Sequence, residues 1–232
     1  MIDLNKKSSS RPTFSEEKKL WDKSFKYVIG VDEVGRGAFA GPVTTAAVIF
    51  PVEFAKDFLE LVNDSKMLSP EKRQMLSPLI KSNLTFSIST VSVSKINKVG
   101  IGKATEIAFR HSVSNIMKKI LNQNGNSKII NLKSEFFLLV DGFHIKYVKG
   151  IGLKNQNAII GGDKKSLTIA AASIVAKVHR DNLMIKLSKL YPEYKFDINK
   201  GYGTEKHRMT IKKYGLTRIH RPAFCKNLTS GK

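Results

Sequence analysis

Short apolar runs in this chain end on carboxylates. YVIGVDEVGRG carries Asp32 and Glu33 at the end of one run, FFLLVDG carries Asp141, and NAIIGGD carries Asp163. The runs read as buried strands, so the carboxylates fall at strand ends, where side chains from distant parts of the chain can meet. The chain has few carboxylates to place: 40 Lys and Arg stand against 19 Asp and Glu, a formal net charge of +21. Acidic strand ends inside so basic a protein point to a divalent-metal site facing a polyanion, the combination that cutting nucleic acid requires.

The bulk numbers bound the rest. A length of 232 residues supports one substantial core or one core with a small appendage. A pI near 10.0 favours an anionic partner, nucleic acid or membrane face. The single cysteine, Cys225, excludes an intramolecular disulfide and fits a reducing compartment. Residues 1–20 hold no apolar stretch of the signal-peptide kind, and the longest apolar run, Ile169 to Ala176, is far short of the ~20 residues of a membrane span. The expectation is a cytoplasmic protein without a membrane partner. Three parts are expected: a flexible N-terminal arm over 1–26, a core over 27–190, and a C-terminal helical extension over 191–232 packed on the core.

Along the chain, strands are predicted at Tyr27–Asp32, at Val43–Phe50, around Leu84, Phe86 and Ile88, at Phe136–Val140 and at Ala158–Ile160. Ser69-Pro70-Glu71 is a helix start, with a capping serine, a proline in the first turn and an acid at the positive end of the dipole. Apolar residues at helical spacing predict helices over 103–122, through Leu167, Ala171, Ile174 and Val178, and over 204–214. Early strands with short links suit an antiparallel meander; strands after a helix suit parallel addition.

Magnesium and manganese take oxygen ligands, so three or four converging carboxylates could hold two ions ~3.5–4 Å apart. Adjacent residues in a strand face opposite ways. For Asp32 and Glu33 to share a site, the strand should end at about Asp32, with Val34–Gly37 turning the chain. Each carboxylate alone also fits a turn or helix-cap role, Asp163 above all, three residues before Ser166.

YVIGVDEVGRGAFAGPV resembles the opening motif of the bacterial ribonuclease HII family. The likeness continues through NDSKMLS (63–69), LLVDG (138–142), GGDKKSLTIAAASIVAKVHRD (161–181), KGYGTEKH (200–207) and IHRPAF (219–224), in the family's order. The resemblance implies an α/β fold: a ribonuclease H-like mixed five-stranded sheet flanked by helices, with a C-terminal helical extension. It implies metal-dependent cleavage of the RNA strand of RNA–DNA hybrids and of the 5′ side of single ribonucleotides in duplex DNA, leaving 3′-hydroxyl and 5′-phosphate ends. By it, Asp32, Glu33, Asp141 and Asp163 match the metal-binding carboxylates, with Mg2+ or Mn2+ as cofactor. Gly35, Arg36 and Gly37 match the segment that senses the 2′-OH, and Tyr202 the tyrosine at the RNA-to-DNA junction. Lys66 and Lys177 are added as phosphate contacts. No obligate protein partner is evident, and a monomer is expected.

The sequence departs from the family pattern at Ala38-Phe39, where Pro-Leu is common, which should soften the turn. Pro222-Ala223 replaces a common Arg-Ser pair, which argues against a phosphate contact at the C-terminal end, while His220 and Arg221 remain. Asp181 reads as structural, and His207 and His220 as core or surface residues. Rival readings are a ribonuclease HIII, another nuclease of the same fold such as a junction resolvase, and a non-enzymatic duplex- or ribosome-binding protein.

Overall fold

The computed structural model describes residues 11–52, 54, 56–123 and 135–229. Helix α1 (Ser15–Trp21) precedes strands β1 (Tyr27–Val34) and β2 (Val43–Ile49). Helix α2 (Pro70–Asn83), strand β3 (Thr85–Val91), helix α3 (Val93–Val99) and helix α4 (Ile101–Gln123) follow. Strands β4 (Phe136–Asp141) and β5 (Gln156–Ile159) then lead into helix α5 (Leu167–Ser188). Three shorter helices close the chain: α6 (Phe196–Asn199), α7 (Glu205–Tyr214) and α8 (Pro222–Thr229).

The strands form one sheet in the order β3-β2-β1-β4-β5. β1, β2 and β3 pair antiparallel; β4 adds parallel to β1, and β5 parallel to β4. Both halves of the expected topology hold, but only the β1–β2 link is short: α2 lies between the antiparallel β2 and β3, and α3 and α4 lie between β3 and β4. α4 and α7 fall within two residues of the predicted 103–122 and 204–214, and α5 begins at Leu167 as expected. Ser69 caps α2 as expected, accepting from the Lys72 amide at 3.3 Å.

The two faces of the sheet carry different helices. α4 lays Phe109, Val113, Ile116 and Ile120 against Ile29, Val31, Leu138 and Val140. α5 lays Ala170, Ala171, Ile174 and Val175 on the other face with Ala46 and Val48. Its backbone comes so near β1 that a Cβ on Gly30 would lie 2.3 Å from the Thr168 carbonyl carbon. Only glycine allows that approach, and it fixes α5 relative to the end of β1. The C-terminal elements gather around Ala40, Met184, Tyr194, Phe196, Ile211 and Cys225.

Part of the expected loose arm is in fact built into the fold. Within α1, Leu20 packs with Val28, Phe137, Leu139 and Ile169, and Glu17 is fully buried. The Phe14 and Trp21 rings pack at a tilt of 47° with centroids 5.5 Å apart, and Phe14 meets Phe50 edge-on. The polar character of 1–26 hid this anchoring, since four apolar residues spread over twelve positions give no long run. Residues 1–10 of that expected arm lie outside the described residues. Helices α3, α6 and α8, one to two turns long, were also not predicted.

Candidate active site

Val31 pairs with Val140 across the parallel β1–β4 ladder, so Asp32 and Asp141 stand side by side one step further along. Both side chains emerge on the α5 face, opposite the core valines. Contrary to expectation, β1 does not end at Asp32. It continues through Glu33 and Val34, paired to Thr45 and Thr44 of β2. β4 stops at Asp141, so β1 outruns its parallel neighbour by two residues. Glu33 therefore stands beyond the end of β4, and its carboxylate feels the Asp141 charge without any break in the strand. The turn begins at Gly35, whose φ of +85° only glycine adopts without strain.

Asp163 arrives from the far side, on a single turn (Gly162–Lys164) between β5 and α5. The Gly162 amide donates to Asp141 Oδ1 at 2.7 Å, tying this turn to the end of β4. The capping role open to Asp163 belongs to Ser166, which accepts from the Ile169 amide at 3.1 Å.

Electrostatics mark the cluster as short of positive charge. Burial drives the Asp32 carboxyl well above the usual carboxylate range; the Glu33 and Asp141 charges add to this and the Ser173 hydroxyl opposes it. Burial raises Glu33 despite the nearby Arg36, whose Nη1 is 3.7 Å from Glu33 Oε1. Burial also raises Asp163, helped by Asp64 and Asp141 and opposed by Lys66. Lys66 Nζ reaches Asp163 Oδ2 at 3.3 Å. Burial lowers the Lys66 ammonium, but Asp163, Asp64 and Asp32 outweigh it and the net movement is upward.

Among the described residues no three His, Cys, Asp or Glu side chains stand in a ready-made metal cage. Lys66 and Arg36 lean on the carboxylates instead. The donor set is nonetheless all oxygen, and burial with mutual repulsion raises its carboxyls, which suits a hard divalent ion such as Mg2+ or Mn2+.

A cleft of about 470 Å³ opens over the cluster, lined by Asp32, Glu33, Asp141, the 35–37 backbone, Lys66, Lys177 and Tyr202. Nine of the ten predicted site residues line it; Asp163 lies behind, joined through Lys66. Lys177 Nζ pairs with Asp181 at 2.9 Å and lies 5.8 Å from the Tyr202 ring centre. That pairing gives Asp181 the structural role expected of it. Arg36 is exposed, its guanidinium 5.2 Å from the Phe143 ring centre.

Two residues essential to the site's shape carry no sequence signal. Arg180 is fully buried and donates to the carbonyls of Pro42, Ala40 and Lys200 at 2.9–3.1 Å. Arg221 is also fully buried and spans the carbonyls of Gly41 and Arg36 at 2.6–3.0 Å. Together they staple the 35–42 loop to the C-terminal elements. In a chain with 40 basic residues, two that bind only backbone oxygens look like the others. Arg221 and His220 are accordingly not available for phosphate: the one grips the loop, and the other faces His207 in the interior with Nε2 atoms 3.1 Å apart. The Ala38-Phe39 turn is not soft either. The Phe39 and Ala40 amides both donate to the Gly201 carbonyl, and the Phe39 ring fills the space in front of Gly203.

The sheet order and the carboxylates at its centre define a ribonuclease H-like α/β protein. The ribonuclease H2 of Pyrococcus horikoshii superposes with a TM-score of 0.63 at 22% identity, covering 88% of this chain and 97% of that one. Bst-RNase HIII, solved in complex with Mn2+, gives a TM-score of 0.62 at 18% identity, over 84% of this chain and 65% of that one.

Sequence narrows the class. The ribonuclease HII family model matches residues 29–227. The ribonuclease HII of Caldicellulosiruptor bescii is 41% identical over 219 residues, 94% of this chain and 95% of that protein. The chain belongs to the ribonuclease HII family, and is a ribonuclease H hydrolase.

Proposed function

We propose that this protein is a metal-dependent endoribonuclease that cuts the RNA strand of RNA–DNA hybrids and the 5′ side of single ribonucleotides in duplex DNA. The products are a 3′-hydroxyl and a 5′-phosphate. The observation that carries the reading is the meeting of Asp32, Glu33 and Asp141 in one cleft with the 35–37 backbone and Tyr202. An acidic centre, a stretch of bare backbone and an aromatic ring within one groove suit phosphodiester cleavage beside a recognised sugar.

Asp32, Glu33, Asp141 and Asp163 would hold Mg2+ or Mn2+, the latter being the ion named for the Bst-RNase HIII structure. Divalent cations in such a site supply Lewis-acid stabilisation of the charge that develops on the phosphate. The remaining work falls to the chain. Among the described residues, nothing beyond the chain neighbours of Gly37 lies within 4 Å of where its Cβ would sit. Packing therefore does not demand a glycine there, and the free space admits a ribose edge to the backbone. The 2′-OH that separates RNA from DNA is then within reach of main-chain groups. Arg36, exposed at the rim, offers a planar fork to a phosphate. Tyr202, held beside Lys177 and Arg180, presents a ring against which a deoxyribose fits and a 2′-OH crowds. Lys66 and Lys177 would contact phosphates. The basic surface would hold the duplex with an affinity that falls steeply with salt.

The test is a DNA duplex containing one ribonucleotide, incubated with Mg2+ or Mn2+ and mapped at nucleotide resolution. A cut 5′ to the ribonucleotide supports the reading. Cleavage of an all-DNA junction, or binding without products, refutes it.

A further inference from the structure

Glu17 lies outside the segment matched by the family model and has no place in the chemistry above. Yet its carboxyl is fully buried, and Oε1 accepts three hydrogen bonds. They come from Ser166 Oγ at 2.5 Å, Thr168 Oγ1 at 2.5 Å and the Thr168 amide at 2.9 Å. These donors form the first turn of α5, immediately after the loop that carries Asp163. The Thr13 backbone adds a second tie on the same stretch. Its amide donates to the Lys165 carbonyl at 3.2 Å, and its carbonyl accepts from the Leu167 amide at 3.1 Å.

We propose that Glu17 is a positioning residue for the carboxylate site, holding from helix α1 the turn that places Asp163 beside Asp141. The proposal rests on the reading of Asp163 as a metal ligand. The geometry runs in one line. The carboxyl engages Ser166 and Thr168, which bracket the start of α5. Three residues upstream is Asp163, and the Gly162 amide bonds Asp141. Ser173, which hydrogen-bonds Asp32, is a further turn and a half along the same helix. A carboxyl at this end also complements the dipole of a 22-residue helix.

Groups that orient metal ligands from behind typically cost about 10–100-fold in metal affinity when removed. Glu17→Ala is therefore expected to weaken Mn2+ binding to the full chain, measured by calorimetry without nucleic acid, by at least about 10-fold. Glu17→Gln, whose amide oxygen still accepts, should recover most of the affinity. Leu20→Ala loosens the same helix through its apolar side; it should lower the melting temperature and leave Mn2+ affinity unchanged. Should Glu17→Ala not fold, Glu17→Asp is the substitute: one methylene shorter, it cannot bring its oxygen to the Ser166 and Thr168 donors and should weaken Mn2+ in the same sense. Wild-type Mn2+ affinity in the folded Glu17 variants, with only a melting shift like that of Leu20→Ala, overturns the proposal. Asp163→Asn is the separate arm: unchanged affinity there removes Asp163 as a ligand, and the proposal with it.

Discussion

Arg180 lies against Gly35 so closely that a Cβ on Gly35 would sit 2.0 Å from its Nε. The contact explains why the loop after β1 needs glycine at its first position: the residue has φ +85° and its side-chain space is taken by a guanidinium that cannot leave. Arg180 is committed to three carbonyls and to the Tyr202 ring, 5.4 Å from its centre. The loop that would read the sugar and the tyrosine that would read the junction thus share one buried support.

Gly35→Ala is expected to destabilise the protein by at least about 1–3 kcal/mol, the usual cost of a strained backbone position, with further loss from the displaced guanidinium. Urea denaturation measures the first effect. Cleavage should fall with it, because the Arg180 supports of the 40–42 backbone move.

Gly37→Ala should behave in the opposite way. Among the described residues nothing beyond its chain neighbours lies within 4 Å of the added methyl, so stability should stay within about 0.5 kcal/mol of the parent. Cleavage of a duplex carrying one ribonucleotide should nonetheless drop at least about 10-fold, about 1.4 kcal/mol in transition-state binding. A variant as active as the parent would show that the backbone here does not approach the substrate.

Asp32→Asn should abolish cleavage and stabilise the metal-free protein. The folded-state pKa of Asp32 is raised, first by burial and then by Glu33 and Asp141. The folded protein therefore binds that proton more tightly than the unfolded chain does. Stability from this group is present below the ordinary carboxylate range and lost as pH rises through the raised folded value. Removing the charge at neutral pH should gain about 0.5–2 kcal/mol, as is common when a functional site is relieved of strain. Mn2+ should raise the melting temperature of the parent and not of Asp141→Asn. Equal activity in Asp141→Asn would refute its role.

His207 and His220 have determined tautomers. The Thr217 amide donates to His220 Nδ1 at 2.9 Å, so the His220 proton sits on Nε2 and is given to His207 Nε2. His207 must then carry its proton on Nδ1, donated to the Tyr202 carbonyl at 2.8 Å. Long-range 15N NMR should report Nδ1–H for His207 and Nε2–H for His220. Burial, then the neighbouring His207, depresses His220 to about 4. Its contribution to stability is full above the unfolded histidine value, and is lost as pH falls from there through the folded one. Acid titration should show the Tyr202 signals changing with the histidine pair; tyrosine signals indifferent to it would break the link.

Most of the sheet was legible because its strands are continuous apolar runs, and the long helices because their periodicity spans several turns. The carboxylates were legible because each ends such a run. The strand end was misjudged at Asp32 because alternation was applied to an isolated strand. In the sheet, β1 outlasts β4, and Glu33 reaches the site past the neighbour's end rather than by turning. Helix α1 was missed since the five polar residues 15–19 separate Phe14 from Leu20 and Trp21.

By itself the sequence determined the strands, the long helices and the antiparallel and parallel order of the sheet, from periodicity and turn chemistry. It placed the carboxylates at strand ends, and the family resemblance added Gly35, Arg36, Gly37 and Tyr202 to the cleft. The tertiary structure alone decided which charges are spent inside. Arg180, Arg221 and Glu17 look like surface residues in one dimension, yet are fully buried. Their partners are main-chain groups and hydroxyls up to 185 positions away, and a backbone carbonyl leaves no mark in the sequence that donates to it.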